Sequence, residues 1–210
     1  MFERFSAGFT VTGASDAGSE PLLAPNGGEV RGFAEFMARF AGVTFDRGLY
    51  RVHTNGSATD ALGAIAEMFP ARRAQYFPFA YDWLGRQCAL DFGRVAAGEP
   101  QVVLLDPGAG EVLQVPASFE SFHEDELIEY QDAALAADFL DAWREYASDA
   151  RGLQPDECVG YRVPLFLGGA DEVHNLERSD MSVYWSICAQ LFRGATAAGR
   201  GESISGVAGD

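Results

Sequence analysis

The chain has no lysine, few cysteines and no long apolar run. All 15 basic residues are arginines, and 31 acidic residues give the 210-residue chain a formal net charge of −16. No segment approaches the ~18 consecutive apolar residues of a membrane-spanning helix, and the first residues lack the basic and apolar regions of a secretory signal. Binding to nucleic acids and to anionic membranes depends on neutralising phosphates. We therefore expect neither direct nucleic-acid binding nor membrane binding.

The cysteines and histidines do not form a recognisable site. Cys88, Cys158 and Cys188 are far apart and odd in number, which predicts three reduced, mostly buried thiols in a cytoplasmic protein. His53, His123 and His174 are scattered and give no set of three well-spaced metal ligands.

Catalytic and cofactor motifs are also missing. The sequence contains no Gly-x-Ser-x-Gly element, and its glycine-rich stretches lack the spacing and the lysine of a phosphate-binding loop. We expect no catalytic residue, metal or cofactor, and hence a protein that is not an enzyme.

The sequence is rich in core-forming residues. Apolar residues make up 48% of it, including 16 Phe, 7 Tyr and 3 Trp, which excludes wholesale disorder. Apolar residues at helical spacing predict a helix around residues 33–40, and a second helix over residues 57–69 in which Ser57 and Asp60 form a capping box.

Two hairpins follow, and helices come after them. Alternating apolar residues predict strands at 76–81 and 86–91, and then at 102–105 and 112–115. Residues 116–150 have a helical pattern, and residues 158–169 are apolar but broken by Pro and Gly, which favours a buried loop or an edge strand. The predicted fold class is α+β, a central antiparallel sheet of hairpins flanked by N-terminal and C-terminal helices.

The last helix and the boundaries can be predicted too. Ser179 or Asp180 is expected to cap a helix with Val183, Tyr184, Ile187 and Leu191 on its inner face. A break at residues 98–100 divides the chain into units 1–97 and 98–193, although the sheet can also cross that break within one globule. The Gly-, Ala- and Ser-rich segment 194–210 predicts a disordered tail.

Carboxylates are concentrated between residues 120 and 149. Ten acidic residues lie there, with Arg144 as the one basic residue of the segment. Asp138, Asp141, Glu145 and Asp149 are spaced three, four and four apart, so we expect them on one helix face, where each like-charge pair costs about 0.2–0.5 kcal/mol. Such a face is either a solvated surface or a site for a cationic partner.

Two candidate partner-binding regions follow from these acids. The first is the 120–149 segment, represented by Glu124, Asp125, Glu129, Asp138, Asp141, Glu145 and Asp149. The second is an N-terminal loop that carries Asp16, Glu20 and Glu29.

The string Asp82-Trp83-Leu84-Gly85-Arg86 is the most distinctive local feature. An aspartate beside a tryptophan in a turn, followed by an arginine, predicts a packed turn with an internal Arg–Asp pair. We interpret it as a folding device and not as a reaction centre.

Several ordered strings together resemble the immunity proteins of type VI secretion DNase effectors. The strings lie at residues 48–53, 79–86, 104–108, 118–127, 158–161, 164–169, 175–177 and 180–185. The resemblance covers roughly residues 30–192 and is strongest from residue 76 on. The resemblance implies a GAD-like N-terminal half, 1–97, followed by an immunity-type C-terminal domain, 98–193.

The function implied by this resemblance is inhibition of a toxin. The protein would bind a cognate effector nuclease in the cytoplasm and occlude its DNA-binding or active site. The charge agrees independently, since nucleases present positive surfaces to which an acidic inhibitor is steered. Two alternatives stay open: a hydrolase that uses paired carboxylates, and an immunity protein for a toxin that is not a nuclease.

Overall fold

The structure is a computed structural model that describes residues 1–15, 22–24, 30–72, 74–149 and 151–205. Asp16, Glu20 and Glu29, the second candidate region, lie outside the described residues.

A seven-stranded antiparallel sheet forms the centre of the molecule, with its strands in sequence order. The central strands β4, β5 and β6 carry most of the buried residues of the sheet, which explains their nearly continuous apolar sequence. The strands are β1 (Val11–Ala14), β2 (Val43–Phe45), β3 (Tyr50–Val52), β4 (Tyr76–Asp82), β5 (Gln87–Ala96), β6 (Glu99–Asp106) and β7 (Glu111–Val115). Two further strands, β8 (Glu157–Tyr161) and β9 (Leu176–Asp180), pair with each other in a separate sheet.

Helices precede, interrupt and follow the sheet. A π-helical turn (Phe122–Glu126) joins α4 to α5. The helices are α1 (Glu3–Gly8), α2 (Phe33–Phe40), α3 (Asn55–Met68), α4 (Phe119–Ser121), α5 (Leu127–Glu129), α6 (Gln131–Leu135), α7 (Ala137–Ala147) and α8 (Met181–Ser205). Helices and an antiparallel sheet in this arrangement confirm the α+β class.

The sheet has a core on each of its two faces. Leu90, Val102 and Leu104 belong to a large cluster that contains the phenylalanines of α1, α2 and α4. Their neighbours Ala89 and Val103 belong to a second cluster with residues of α3 and α8. Because successive side chains of a strand point to opposite faces, helices cover the sheet on both sides.

Three details differ from the sequence-based expectations. The cap of α3 is Thr54, and Ser57 is its N3 partner: Ser57 N donates to Thr54 Oγ1 at 3.2 Å, and Thr54 N donates to Ser57 Oγ at 3.0 Å. The capping box therefore begins three residues earlier than predicted, because Thr54 is itself a good capping residue. β8 is the expected edge strand, but it belongs to a separate two-stranded sheet with β9.

The third difference concerns α8. Its buried residues are Tyr184, Trp185, Cys188 and Ala189, whereas Val183, Ile187 and Leu191 are 52%, 50% and 39% exposed. The helix is rotated relative to the prediction because Trp185 and Tyr184 fill the space above β5 and β6. Residues 194–205 continue this helix where the sequence predicts a tail, and residues 206–210 lie outside the described part.

β5 and β6 form a hairpin whose turn contains Gly98, at a φ of 85°. The sheet is therefore continuous across the break at residues 98–100. All three cysteines carry free, buried thiols, as expected.

Candidate partner-binding surface

Three candidate carboxylates lie together on α7. Asp138, Asp141 and Glu145 are exposed, while Leu140 and Trp143 on the opposite side of the helix are buried. Arg144 is their nearest counter-charge in sequence. Its Nη1 contacts Asp141 Oδ1 at 3.2 Å, yet the Asp141 side chain stays 75% exposed. We call Asp138, Asp141 and Glu145 the α7 acidic face.

A tight turn beside α7 holds Arg144 in place. The Nη2 of Arg144 donates to the carbonyls of Asp46 and Arg47, both at 3.3 Å. Asp46 and Arg47 have φ values of 47° and 57°, a left-handed conformation that costs about 1–2 kcal/mol for each residue with a Cβ. The turn keeps this conformation because hydrogen bonds to the rest of the fold hold it. Arg47 N donates to Thr12 Oγ1 at 2.9 Å, and Leu153 N donates to Arg47 O at 3.0 Å.

The turn and α7 enclose a shallow cavity of about 460 Å³. Asp46, Arg47, Asp141 and Arg144 line it together with residues of α1, α6 and α7. The pKa of Asp46 is raised, because the effect of partial burial outweighs the hydrogen bonds from Thr10, which lower it. Strained backbone held at a cavity mouth is frequent at binding sites, so this surface combines the α7 acidic face with a shaped recess.

Three other candidates form a separate group around α1. Phe5 N donates to Glu124 Oε1 at 3.1 Å, so Glu124 satisfies an amide in the first turn of α1. Arg4 Nη1 contacts Asp125 Oδ1 at 2.6 Å, and Arg4 Nη2 contacts Glu129 Oε1 at 2.8 Å. These acids connect the N-terminal helix to the π-helical turn and to α5, although Asp125 and Glu129 remain about half exposed.

Asp149 is the last candidate, and it does not share the α7 face. The helix ends at Ala147, and Asp149 Oδ2 accepts from Arg178 Nη2 at 2.6 Å. Arg178 also contacts Glu157 Oε2, at 2.7 Å. Burial alone would raise the pKa of Asp149, but its hydrogen bonds with Arg178 and Arg151 hold it below its ordinary value. The predicted four-residue stripe is thus three residues long.

Sequence reasoning missed the arginines that neutralise these acids. Arg4 and Arg178 lie far from the 120–149 segment in sequence, and no local pattern links them to it. After these pairs are formed, the α7 acidic face keeps three exposed carboxylates, of which Asp141 is paired with Arg144.

A second and larger cavity lies on the other side of the sheet. This α3–α8 cleft has a volume of about 650 Å³ and is lined by residues of α3, the start of α8 and the underlying strands. A buried polar network closes its floor: His53 Nδ1 lies 2.9 Å from Ser57 Oγ, and His53 Nε2 lies 2.8 Å from Gln87 Oε1. Since Oε1 only accepts, the proton is on Nε2 and Ser57 donates to Nδ1. Burial lowers the pKa of His53 to about 4, so the ring is neutral at pH 7.

No group of three or more His, Cys, Asp or Glu in the described ranges is arranged to hold a metal ion. Within the same ranges, no helix has the length and apolar character needed to cross a membrane.

The Arg–Asp turn is confirmed: Arg86 Nε donates to Asp82 Oδ2 at 2.6 Å, with both side chains buried.

The structure defines an α+β protein with an acidic face on α7, and comparison with known proteins adds a family. Residues 118–192 match the family described as T6SS immunity protein Tdi1, C-terminal. This match, which includes α7 and the first half of α8, supports the interpretation of the chain as a type VI secretion immunity protein.

A solved structure shares the overall fold. The crystal structure of Atu4351 from Agrobacterium tumefaciens superposes with a TM-score of 0.58 and 12% sequence identity, covering 90% of this chain and 89% of that one. At this identity the likeness concerns the fold alone. No protein of curated function matches the sequence.

Proposed function

We propose that this chain is a cytoplasmic immunity protein that binds a cognate type VI secretion toxin acting on DNA. It inhibits the toxin by covering its DNA-binding or active site, and it has no catalytic activity of its own. The match of residues 118–192 to an immunity-protein family is the observation that carries the proposal, and the charge of the protein supports the choice of a nuclease.

The α7 acidic face is the proposed contact surface. Its three carboxylates are exposed, and one exposed ion pair, Asp141–Arg144, offsets them weakly. A surface that binds DNA is rich in Lys and Arg, so it is complementary to this face. Electrostatic complementarity of this kind raises the association rate more than it raises the affinity.

Tight inhibition needs more than carboxylates. Nanomolar affinity corresponds to about −12 kcal/mol and generally requires an interface of about 1,600 Å² with well-packed anchor residues. The cavity beside α7, with the Asp46–Arg47 turn at its edge, offers a recess for such an anchor. Asp125 and Glu129, which stay about half exposed beside Arg4, extend the proposed surface.

The test is co-purification with the product of the adjacent reading frame and titration of its DNA cleavage. We expect full protection at an equimolar ratio. A triple variant, Asp138→Asn, Asp141→Asn and Glu145→Gln, should slow association at least tenfold while it folds normally, because all three side chains are exposed.

A matched control separates surface position from net charge. Asp60→Asn, Glu67→Gln and Glu111→Gln remove the same charge from three exposed positions on α3 and β7 and should leave association nearly unchanged. Equal slowing by both triple variants would show that only the overall charge matters. Failure of the wild-type chain to protect at any ratio would remove the proposal.

The alternatives have their own outcomes in this experiment. An immunity protein for a toxin that is not a nuclease would protect cells without reducing DNA cleavage. A carboxylate-dependent hydrolase would turn over a substrate in the absence of any toxin, and it would lose that activity in a carboxylate variant.

A further inference from the structure

We propose that the cavity beside α7 receives a carboxylate, an aspartate or glutamate side chain of the toxin, and that Arg47 binds it. The inference rests on the proposed function for the identity of the partner, and it names the anchor that the α7 surface needs. The cavity of about 460 Å³ is lined by Asp46, Arg47, Gln131, Asp141 and Arg144, among others, and we call it the Arg47 recess. Because Asp141 is also part of the α7 acidic face, one partner can contact both.

Arg47 is an unpaired cation in a strongly acidic chain. With 31 acidic and 15 basic residues, a carboxylate is available to almost every arginine, and most arginines whose side chains the structure describes form ion pairs with Asp or Glu. The exposed side chain of Arg47 has neither an ion pair nor a hydrogen bond within the described ranges. Its guanidinium group is therefore available to a ligand.

The fold holds Arg47 at this position against the preference of its backbone. Asp46, Arg47 and Gly48 have successive φ values of 47°, 57° and 101°, a region that suits glycine better than arginine. Behind the turn, a Cβ added at Gly152 would lie 3.3 Å from the Cβ of Arg47, so the chain packs closely there. Backbone strain of this kind is concentrated at ligand sites.

A second arginine lines the same recess. The side chain of Arg144 is 13% exposed, and its pKa is lowered by burial and, after burial, by the nearby positive charge of Arg47. The ion pair with Asp141 offsets this repulsion only in part, since Asp141 is largely exposed. A bound anion stabilises two neighbouring cations, so this pair of arginines favours a negatively charged ligand.

The remaining lining favours a carboxylate over a phosphate. Within the described ranges, the side-chain amide of Gln131 has no hydrogen-bond partner, and its two N–H groups can donate to a ligand. A carboxylate can accept these bonds together with a bidentate pair from Arg47. Asp46 and Asp141 lie at the same recess and would repel a phosphate dianion about twice as strongly as a singly charged carboxylate.

The Arg47 recess makes the acidic surface selective. The α7 acidic face alone attracts any basic protein. A partner that places Lys or Arg opposite Arg47 and Arg144 meets like charges, whereas a carboxylate at that point, surrounded by basic residues, is complementary to the whole surface. The recess therefore distinguishes the cognate toxin from other basic proteins.

The variant Arg47→Gln tests the proposal, because it makes the chain more acidic. If overall charge alone governs binding to a basic toxin, loss of a cation should tighten the complex. If Arg47 holds a carboxylate of the toxin, the complex should dissociate at least tenfold faster, while the association rate stays within about a factor of two. Unchanged or tighter binding overturns the recess and leaves the proposed function intact.

Two further variants control for charge and for folding. Arg193→Gln removes one arginine from α8, on the opposite face of the sheet, where Arg193 pairs with Glu67 at 2.9 Å, and it should leave dissociation unchanged. Arg47→Gly relieves the left-handed strain, so the melting temperature should rise while the complex still weakens at least tenfold. Normal binding by Arg47→Gly would assign the effect to the shape of the turn and overturn the proposal.

The carboxylate on the toxin is found by changing each of its Asp and Glu residues to Asn or Gln. One of these substitutions should weaken the complex with the wild-type chain at least tenfold and add almost nothing to the effect of Arg47→Gln, because both remove the same ion pair. If no carboxylate of the toxin is coupled to Arg47 in this way, the proposal is wrong.

A small carboxylate tests the recess without the toxin. Nα-acetyl-glutamate methylamide is titrated into the full-length chain while the arginine Nε–H signals are followed by NMR, with the glutamine analogue and inorganic phosphate as comparisons. The signal of Arg47 should shift at least about threefold further than that of Arg39, an exposed arginine of α2, and the glutamine analogue should shift neither.

The outcomes of this titration separate the two proposals. Equal shifts at Arg47 and Arg39, or a larger response of Arg47 to phosphate, overturn the carboxylate site. A wild-type chain that binds no toxin but shows the selective shift at Arg47 overturns the proposed function instead and supports the recess.

Discussion

Arg86 and Asp82 form a buried ion pair at the end of the β4–β5 hairpin, with Nε and Oδ2 2.6 Å apart and the side chains 8% and 0% exposed. Asp82 Oδ1 also accepts from the amides of Leu84 and Arg86, both at 3.0 Å. The carboxylate thereby fixes the turn between the strands. Arg86 Nη2 extends the network to the carbonyl of Ala134 at 3.0 Å and ties α6 to the sheet.

The first prediction concerns this pair. Asp82→Ala leaves Arg86 buried without its counter-ion and frees two turn amides, so the free energy of unfolding should fall by about 3–5 kcal/mol. Urea denaturation of the variant measures the loss. The control is Glu120→Gln, which removes the partly exposed partner of Arg31, 3.9 Å away, and should cost less than about 0.5 kcal/mol. Similar losses in the two variants would show that the turn does not depend on the pair.

The second prediction concerns pH. Burial lowers the pKa of His53 to about 4 and that of His123 to about 3, while both titrate near 6.5 in the unfolded chain. At pH values between the folded and unfolded pKa, the unfolded state binds more protons than the folded state. The free energy of unfolding is therefore highest above pH 6.5 and decreases as the pH falls. Each histidine contributes up to about 1.4 kcal/mol per pH unit in that window.

The measurement is the free energy of unfolding at pH 7, 6 and 5. His123→Asn should reduce the pH dependence, although it also removes the contact with Tyr50 Oη at 2.8 Å and lowers stability at pH 7. A slope in His123→Asn equal to that of the wild-type protein would contradict the assignment to the buried rings.

The sequence predicts well those features that are set by neighbouring residues. The helix at Phe33–Phe40, the two hairpins and the Arg86–Asp82 turn depend on contacts over a few residues, and the structure confirms them. The π-helical turn has no such signature. It places His123 among phenylalanines of α1, α2 and α4, with ring centroids 4.0 Å apart for Phe36 and 4.5 Å for Phe119, and only the assembled core makes this turn favourable.

The sequence alone does not predict the orientation of α8 or the counter-ions of the acidic segment, because both depend on the assembled fold. α8 carries large apolar residues on two faces, so periodicity does not distinguish the Trp185 face from the Ile187 face. Arg4 is about 120 residues from Asp125 in sequence, and their contact is a consequence of the fold. The α3–α8 cleft, whose lining comes from both halves of the chain, likewise has no local pattern.

The third prediction concerns Gly160 in β8. A Cβ at this position would overlap the ring of Tyr184, whose hydroxyl accepts from Tyr161 N at 3.2 Å. Gly160→Ala should therefore lower the free energy of unfolding by about 1–3 kcal/mol, the usual cost of overpacking. Gly194→Ala is the matched control, because nothing lies within 4 Å of that added Cβ in α8, and it should stabilise the chain by about 0.5–1 kcal/mol. If Gly160→Ala does not lower stability, Tyr184 does not pack on β8 as described.

The fourth prediction concerns salt and the α7 acidic face. Raising the ionic strength from about 0.05 M to about 0.5 M shortens the Debye length to about 4 Å, so exposed carboxylates no longer attract a basic partner from a distance. Association with the toxin, measured by stopped-flow or surface plasmon resonance, should slow by more than tenfold, while dissociation changes little because it depends on short-range contacts. The charge-reversed variant Asp138→Arg, Asp141→Arg and Glu145→Arg should associate slowly at low salt and lose most of this dependence. If the wild-type rate is indifferent to salt, charge does not steer the association. If the variant keeps the full dependence, steering arises from other acids of the −16 chain. In either case α7 is only a solvated surface.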